Sequence, residues 1–303
     1  MHVFITGGTG LIGKALTTSL LEDGHHVTVL TRAPERHKHH MPPDVRLVPW
    51  NGRTSEGWAH LMEEIDTVVN LAGENIASGR WTAARKARIR ESRLNAGRAL
   101  VEAISAAHHK PHTLVQASAV GYYGPHGDEE VTEDTPPGSD FLAQLAVEWE
   151  ASTAPLEQYG IRRVILRTGV VLSREGGALP RMLLPFRLGV GGRLGSGRQW
   201  FPWIHIADEV GAIRFLMEKE SAQGPYNLTA PHPVTNAEFT RALGEVLHRP
   251  TLFAVPAFAL RLLFGEMATV LLEGQRAVPK RLLEAGYSFR FTDIRRALED
   301  LLA

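Results

Sequence analysis

The feature that most constrains this chain is a run of glycines set between a strand pattern and a helix pattern near residue 1. Val3, Phe4 and Ile5 form a short apolar stretch of strand-forming residues. Gly7, Gly10 and Gly13 follow at G-x-x-G-x-x-G spacing, and Leu11 to Leu21 reads as a helix. In such a unit the first glycine permits a tight turn and the second lets backbone approach a pyrophosphate. The third lets the helix pack close to the strand. The first helical turn then offers unpaired N–H groups and a positive dipole end to the phosphates. Strand, turn and helix in this order predict a dinucleotide site formed by Gly7, Thr9, Gly10, Leu11, Ile12 and Gly13.

The next strand decides which dinucleotide. His25 to Leu30 alternates as a strand and ends in Thr31-Arg32, with Arg36 and Lys38 close behind. Versions of this unit that prefer NAD place a carboxylate here, on the ribose 2′-hydroxyl. A carboxylate repels a 2′-phosphate, whereas a guanidinium pairs with it through a forked contact. The expected cofactor is therefore NADP(H), with Thr31 and Arg32 at the phosphate; a solvated loop arginine is the alternative. His37, His39 and His40 lie in a polar, proline-flanked loop without partnering carboxylates and give no metal site.

Further along, strand and helix patterns alternate. Strands are expected at Val45 to Val48, Asp66 to Leu71, Thr113 to Ala117 and Arg163 to Leu166, and helices at Arg80 to His109 and Phe141 to Leu156. That alternation predicts an α/β, doubly wound parallel sheet of the Rossmann kind. Its expected extent is residues 1–172, with 203–228 returning to it. A smaller substrate lobe with a helical extension fills 173–303. Small residues after the fourth strand (Leu71, Ala72, Gly73) leave room for a ligand at the carboxyl edge. In the arginine-rich helix that follows, Arg93 lies beside the buried stripe. Pro256 to Glu273 contains a strongly apolar helix pattern that reads as core, and nothing in it chooses between a monomer and a homodimer.

Composition removes whole classes of function. With 33 basic and 33 acidic side chains there is no global attraction to nucleic acid or to a membrane surface. The absence of cysteine excludes disulfides, thiolate nucleophiles and zinc–thiolate sites. No apolar run reaches membrane-spanning length, and the strand beginning at Val3 leaves no room for a signal peptide, so a cytoplasmic location is expected.

Thr6 to Gly13, Asn70 to Gly73 and Tyr122-Tyr123-Gly124 together resemble the extended short-chain dehydrogenase/reductase superfamily. The resemblance narrows with Asn-Leu-Ala-Gly-Glu-Asn at 70–75, Arg80-Trp81, Ser92-Arg93, the run from Leu183 to Gly189, Phe201 to Ile206 and Leu271 to Gln275. These look like the atypical "epimerase family protein" branch, which includes the vertebrate family 39U proteins. The resemblance implies a Rossmann fold and NADP(H) binding by the glycine loop, Thr31, Arg32, Leu71, Ala72, Gly73, Arg93 and the backbone near Val171. It implies no one reaction; the intact cofactor site beside a well-furnished second lobe points to an oxidoreductase or epimerase acting on a small polar substrate, in one reading nucleotide-linked.

Most members of that superfamily use Tyr-x-x-x-Lys, in which the lysine lowers the tyrosine pKa so that the phenolate can move a proton. None of the five tyrosines here has a lysine four residues on. Another acid/base, hydride transfer alone, or cofactor binding without turnover then compete. Candidate groups are Ser118 at the tip of the fifth strand, Tyr123, and His205, with Glu74 also placed at a strand end. The catalytic hydroxyl of the superfamily falls on Ala119, one residue beyond Ser118. Arg187, Arg193, Trp200 and Trp203 could hold an anionic, ring-bearing substrate.

Overall fold

The computed structural model describes residues 1–303. The first half alternates as the sequence pattern requires: β1 (His2–Thr6), α1 (Leu11–Glu22), β2 (His26–Thr31), β3 (Arg46–Pro49), β4 (Thr67–Asn70), α2 (Ala83–Ala106), β5 (Thr113–Ala119), α3 (Phe141–Ala151) and β6 (Arg162–Thr168). Beyond it come β7 (Val170–Leu172), α4 (Leu179–Arg187), β8 (Trp203–His205), α5 (Ile206–Glu218), β9 (Gly224–Leu228), α6 (Asn236–Val246), α7 (Ala257–Phe264) and α8 (Ile294–Leu302). Shorter elements are given by residue number.

Seven strands form one sheet in the order β3-β2-β1-β4-β5-β6-β9, and every pairing is parallel. This is the doubly wound arrangement with one strand added at the far edge. Gly224–Leu228 supplies that strand, whereas Trp203–His205 pairs with β7 in a separate two-stranded ribbon. The order reverses between β1 and β4, which opens a crevice at their carboxyl ends.

Strand periodicity divides the core between the two faces of the sheet. Val3, Ile5, Val29, Val69 and Val115 point to the face covered by Leu16 and Leu20 of α1 and Ile213 and Leu216 of α5. Phe4, Leu30, Val68 and Leu114 point to the opposite face, against Leu100 and Ile104 of α2 and the buried Trp58. Both faces are covered, so the strands read as continuous apolar runs rather than alternating ones. A third core joins Leu183 and Phe186 of α4, Phe239 and Leu243 of α6 and Leu298 and Leu301 of α8 in the second lobe.

Two expectations fail here. The long apolar helix over 256–273 is broken, because Gly265 adopts φ +62°, outside helical backbone, and a short turn separates α7 from Thr269–Leu272. Its stripe is core only in part: Leu260 and Met267 are buried, whereas Leu263 and Val270 are exposed.

Candidate functional site

Two cavities flank the segment Ser92-Arg93, with Ser92 lining one and Arg93 the other. The larger, about 780 Å³, lies over the carboxyl ends of β1, β2 and β4 and is lined by Gly7, Thr9, Gly10, Thr31, Arg32, Leu71, Ala72 and Gly73. Its floor is held by a buried polar line across three strands. The Thr6 hydroxyl donates to Asn70 Oδ1 (2.5 Å), and the Asn70 amide donates to Gln116 Oε1 (2.9 Å). The Ala72 N–H donates to Thr6 Oγ1 at 3.3 Å, which ties the loop after β4 to the glycine loop.

The glycines are required by close approach. Gly7 has φ +70°, and a Cβ there would lie 2.5 Å from the Leu71 carbonyl oxygen. A Cβ on Gly13 would lie 2.4 Å from the Gly7 carbonyl oxygen and 2.5 Å from Gly8 Cα. Gly10 is the N-cap of α1 and supplies no capping side chain, so the first-turn N–H groups are left for an anion. Leu11, Ile12 and Gly13 form that first turn, and none of the three lines the cavity with its side chain. Val171 lines neither cavity; it pairs with Ile204 in the β7–β8 ribbon.

At the far end of this cleft the charge is positive. Arg32 is exposed at the end of β2 and forms no ion pair, and Arg36 and Arg53 line the same wall. Arg53 was not legible as a site residue. It is placed by a turn in which Asn51 Oδ1 accepts from the N–H groups of Arg53 (2.7 Å) and Thr54 (3.0 Å). Glu74 also lines this cleft, but it is not a free base. Arg85 pairs with its carboxylate and reaches Asn75 and Ser78 as well.

Arg93 is buried, and its Nη1 donates to the carbonyls of Glu74 (3.1 Å) and Ile89 (2.9 Å). Its guanidinium lies 4.7 Å from the Trp149 ring centroid. Burial lowers its pKa to about 10, against the opposing pull of Glu74, so it stays charged at neutral pH. The second cavity, about 210 Å³, is lined by Arg93, α3, the loops after β5 and β6, and the segment 269–275.

The three acid/base candidates are each held in hydrogen bonds to other groups of the protein. The Ser118 hydroxyl donates to Glu150 Oε1 (2.7 Å), away from the cavity; Ala119 lines it instead. Glu150 in turn takes a two-pronged contact from Arg167, at 2.9 and 3.0 Å. Burial works to lower the Arg167 pKa, yet hydrogen bonding to Glu150 holds it above the ordinary value. Tyr123 is fully buried; its hydroxyl donates to Asn227 Oδ1 (2.6 Å) and accepts from Arg167 (3.1 Å). Burial pushes its pKa up to about 12, the wrong direction for a phenolate at neutral pH.

His205 caps α5, its Nδ1 accepting from the Ala207 N–H at 3.0 Å. Its ring stacks on Phe291 at 3.9 Å between centroids, and Nε2 faces Asp300 at 3.2 Å without the alignment of a hydrogen bond. Burial lowers its pKa despite the nearby carboxylates of Asp300 and Asp208, so the ring is neutral and faces neither cavity. Trp203 is also fully buried, and Arg187 and Arg193 reach neither cavity. Of the four substrate candidates only Trp200 lines the second cavity.

One group was missed altogether. Glu209, in the first turn of α5, is completely buried, and its one hydrogen-bond partner is the Thr168 hydroxyl at 2.9 Å. Burial pushes its pKa up to about 8. An acid at the start of a helix reads as a favourable dipole contact, which is why nothing in the sequence marked it.

A glycine loop under a helix N-terminus, at the reversal point of a seven-stranded parallel sheet, defines a nucleotide-binding α/β protein. The chain belongs to the NAD dependent epimerase/dehydratase family, whose model matches residues 3–229, and a domain of unknown function, DUF1731, matches 255–301. It is 46% identical over 297 residues to the epimerase family protein MT2273 of Mycobacterium tuberculosis, covering 98% of this chain and 96% of that protein. Over 308 residues it is 44% identical to the epimerase family protein SDR39U1 of Bos taurus, with 100% of both chains covered. The crystal structure of human SDR39U1 with NADPH matches with a TM-score of 0.90 at 38% identity, covering 99% of each chain. These relatives place the chain among the atypical extended short-chain dehydrogenases/reductases of the 39U kind.

Proposed function

We propose that this protein binds NADP(H) in the larger cleft and is an oxidoreductase acting on a small molecule in the adjoining cavity. The observation that carries the reading is the pairing of a glycine cradle, closed to any Cβ at Gly7 and Gly13, with an unpaired Arg32. The residues fit the cofactor. The first turn of α1 would receive the pyrophosphate, and Thr31 and Arg32 would hold the 2′-phosphate with Arg36 and Arg53 beside them; Leu71, Ala72 and Gly73 form the opposite wall of the cleft. Arg93 lines the adjoining cavity and not the larger cleft. Bound there, NADPH supplies a hydride. The human relative crystallised with NADPH supports this choice.

A second reading is favoured by a specific observation. Tyr-x-x-x-Lys is absent, and Ser118, Tyr123 and His205 are each held in structural hydrogen bonds. A protein that binds NADP(H) and responds to it without turnover would look like this. The two readings separate on one experiment, in which loss of NADPH absorbance is followed in the presence of carbonyl compounds and nucleotide sugars. Oxidation of NADPH, weakened in Arg32→Ala, supports the enzyme. Stabilisation by NADPH with no oxidation of any compound favours the binding protein.

A further inference from the structure

The second cavity has a composition that restricts what can enter it. Leu142, Leu145 and Trp149 of α3 form one wall, and Phe201 and Val270 face them. Three charged residues line it: Arg93, Asp140 and Glu273. The arginine has its Nη1 bonded to two backbone carbonyls, and its Nε, though unpartnered, is buried out of reach of an incoming anion, so neither fork of the guanidinium is open. Asp140 caps α3, its Oδ1 accepting from the Ala143 N–H at 2.8 Å, and Glu273 pairs with no cation. Arg276 is near the rim, but it stacks over Trp200 at 5.0 Å and faces Glu130 at 3.4 Å. The formal charge at the cavity is therefore negative.

Size restricts it further. At about 210 Å³ the cavity is smaller than the ~300–1,000 Å³ typical of drug-sized ligand sites. A dry cavity of about 150 Å³ already accommodates benzene. This one suits a single ring with a short substituent.

We infer that the substrate is an uncharged, ring-sized apolar carbonyl compound, an aromatic or alicyclic aldehyde or ketone, and not a nucleotide-linked sugar. A nucleoside diphosphate would bring two phosphates against Asp140 and Glu273 with no open guanidinium fork to receive them, and it exceeds the cavity. This rests on the reading of the larger cleft as the NADPH site. The reaction balances as a two-electron reduction. A hydride from NADPH adds to the carbonyl carbon, a proton from solvent water adds to the oxygen, and the C=O double bond becomes CH–OH as NADPH leaves as NADP⁺. Apolar walls suit the ring, and the absence of a phenol–lysine pair fits a carbonyl that draws its proton from water.

The test uses the full chain with NADPH and four probes: benzaldehyde, cyclohex-2-enone, 2-carboxybenzaldehyde and UDP-glucose. Probe binding is read by saturation-transfer NMR, turnover by absorbance, and NADPH binding by calorimetry in the same preparation. The expected result is binding and reduction of the two neutral probes, with 2-carboxybenzaldehyde at least tenfold weaker than benzaldehyde and UDP-glucose undetected. In Glu273→Lys the affinity for the carboxylated probe relative to benzaldehyde should rise at least fivefold, a change of selectivity that a change in folding would not give. Tighter binding of UDP-glucose than of either neutral probe overturns the inference and leaves the NADPH reading intact. So does failure of both neutral probes to bind a protein that binds NADPH. Absence of NADPH binding overturns both.

Discussion

Replacing Gly13 by alanine tests the cradle at its tightest point. The new Cβ would lie 2.4 Å from the Gly7 carbonyl oxygen, 2.5 Å from Gly8 Cα and 2.8 Å from the Gly8 carbonyl carbon. All three neighbours are backbone, so no side chain can swing aside. Relief requires α1 and the loop to separate by several tenths of an ångström. Overpacking of this kind costs about 1–3 kcal/mol. Alanine recovers at most about 1 kcal/mol of helix propensity, so the steric term wins. Moving the first turn of α1 also weakens its N–H contacts to phosphate. Loss of one charge-assisted hydrogen bond, about 1.5–3 kcal/mol, corresponds to roughly a 10- to 150-fold weaker Kd. Calorimetric titration with NADPH reads the affinity, and thermal melting without ligand reads the stability. Gly176→Ala is the control, since its Cβ would meet nothing nearer than Leu11 Cδ1 at 3.6 Å. Wild-type affinity and stability in Gly13→Ala would refute the close-approach argument.

Three further outcomes are expected. Arg32→Ala should weaken NADPH binding by about 10- to 100-fold and leave NADH binding unchanged, because the guanidinium answers only the 2′-phosphate; an equal loss for both nucleotides would remove Arg32 from that role. Glu209 has a folded-state pKa of about 8 against an ordinary 4.5, so the folded state holds the extra proton and stability falls as pH rises through that window. The slope for this one group is about 1.4 kcal/mol per pH unit. Glu209→Gln should therefore melt above wild type at pH 8 and close to it at pH 5, and parallel melting curves for the two proteins would contradict the assignment. Ser118→Ala should cost about 1 kcal/mol of stability and less than threefold in turnover, whereas a hydroxyl acting as acid or base would cost about 100-fold or more.

How far the sequence carried depended on the range of the interaction. The strands of the sheet and the glycine turn are set by local apolar runs and fixed spacing, and the alternation of Val3, Phe4 and Ile5 already assigns the two faces. The placement of Thr31 and Arg32 on the cleft was legible because the end of the second strand has a known position in this unit. The acid/base candidates were not. Ser118, Glu150, Arg167, Tyr123 and Asn227 form one buried network, but its hydrogen-bonded pairs lie up to 104 residues apart in the chain. A serine at a strand tip looks the same in sequence whether it faces a cavity or a buried carboxylate. His205 has the same ambiguity, since a histidine before a helix serves as a cap or as a base according to a rotation that periodicity does not encode. The apolar run over 256–273 misled because composition records how greasy a segment is, and Gly265 decides which way it turns.

The central claim is that the cleft over β1, β2 and β4 holds a dinucleotide carrying a 2′-phosphate. Calorimetric titration of the wild-type protein with NADPH and NADH under one buffer condition tests it most directly. The account predicts that NADPH binds at least tenfold tighter, by the charge-assisted contact to Arg32. Equal affinities, or no binding of either nucleotide, would contradict it.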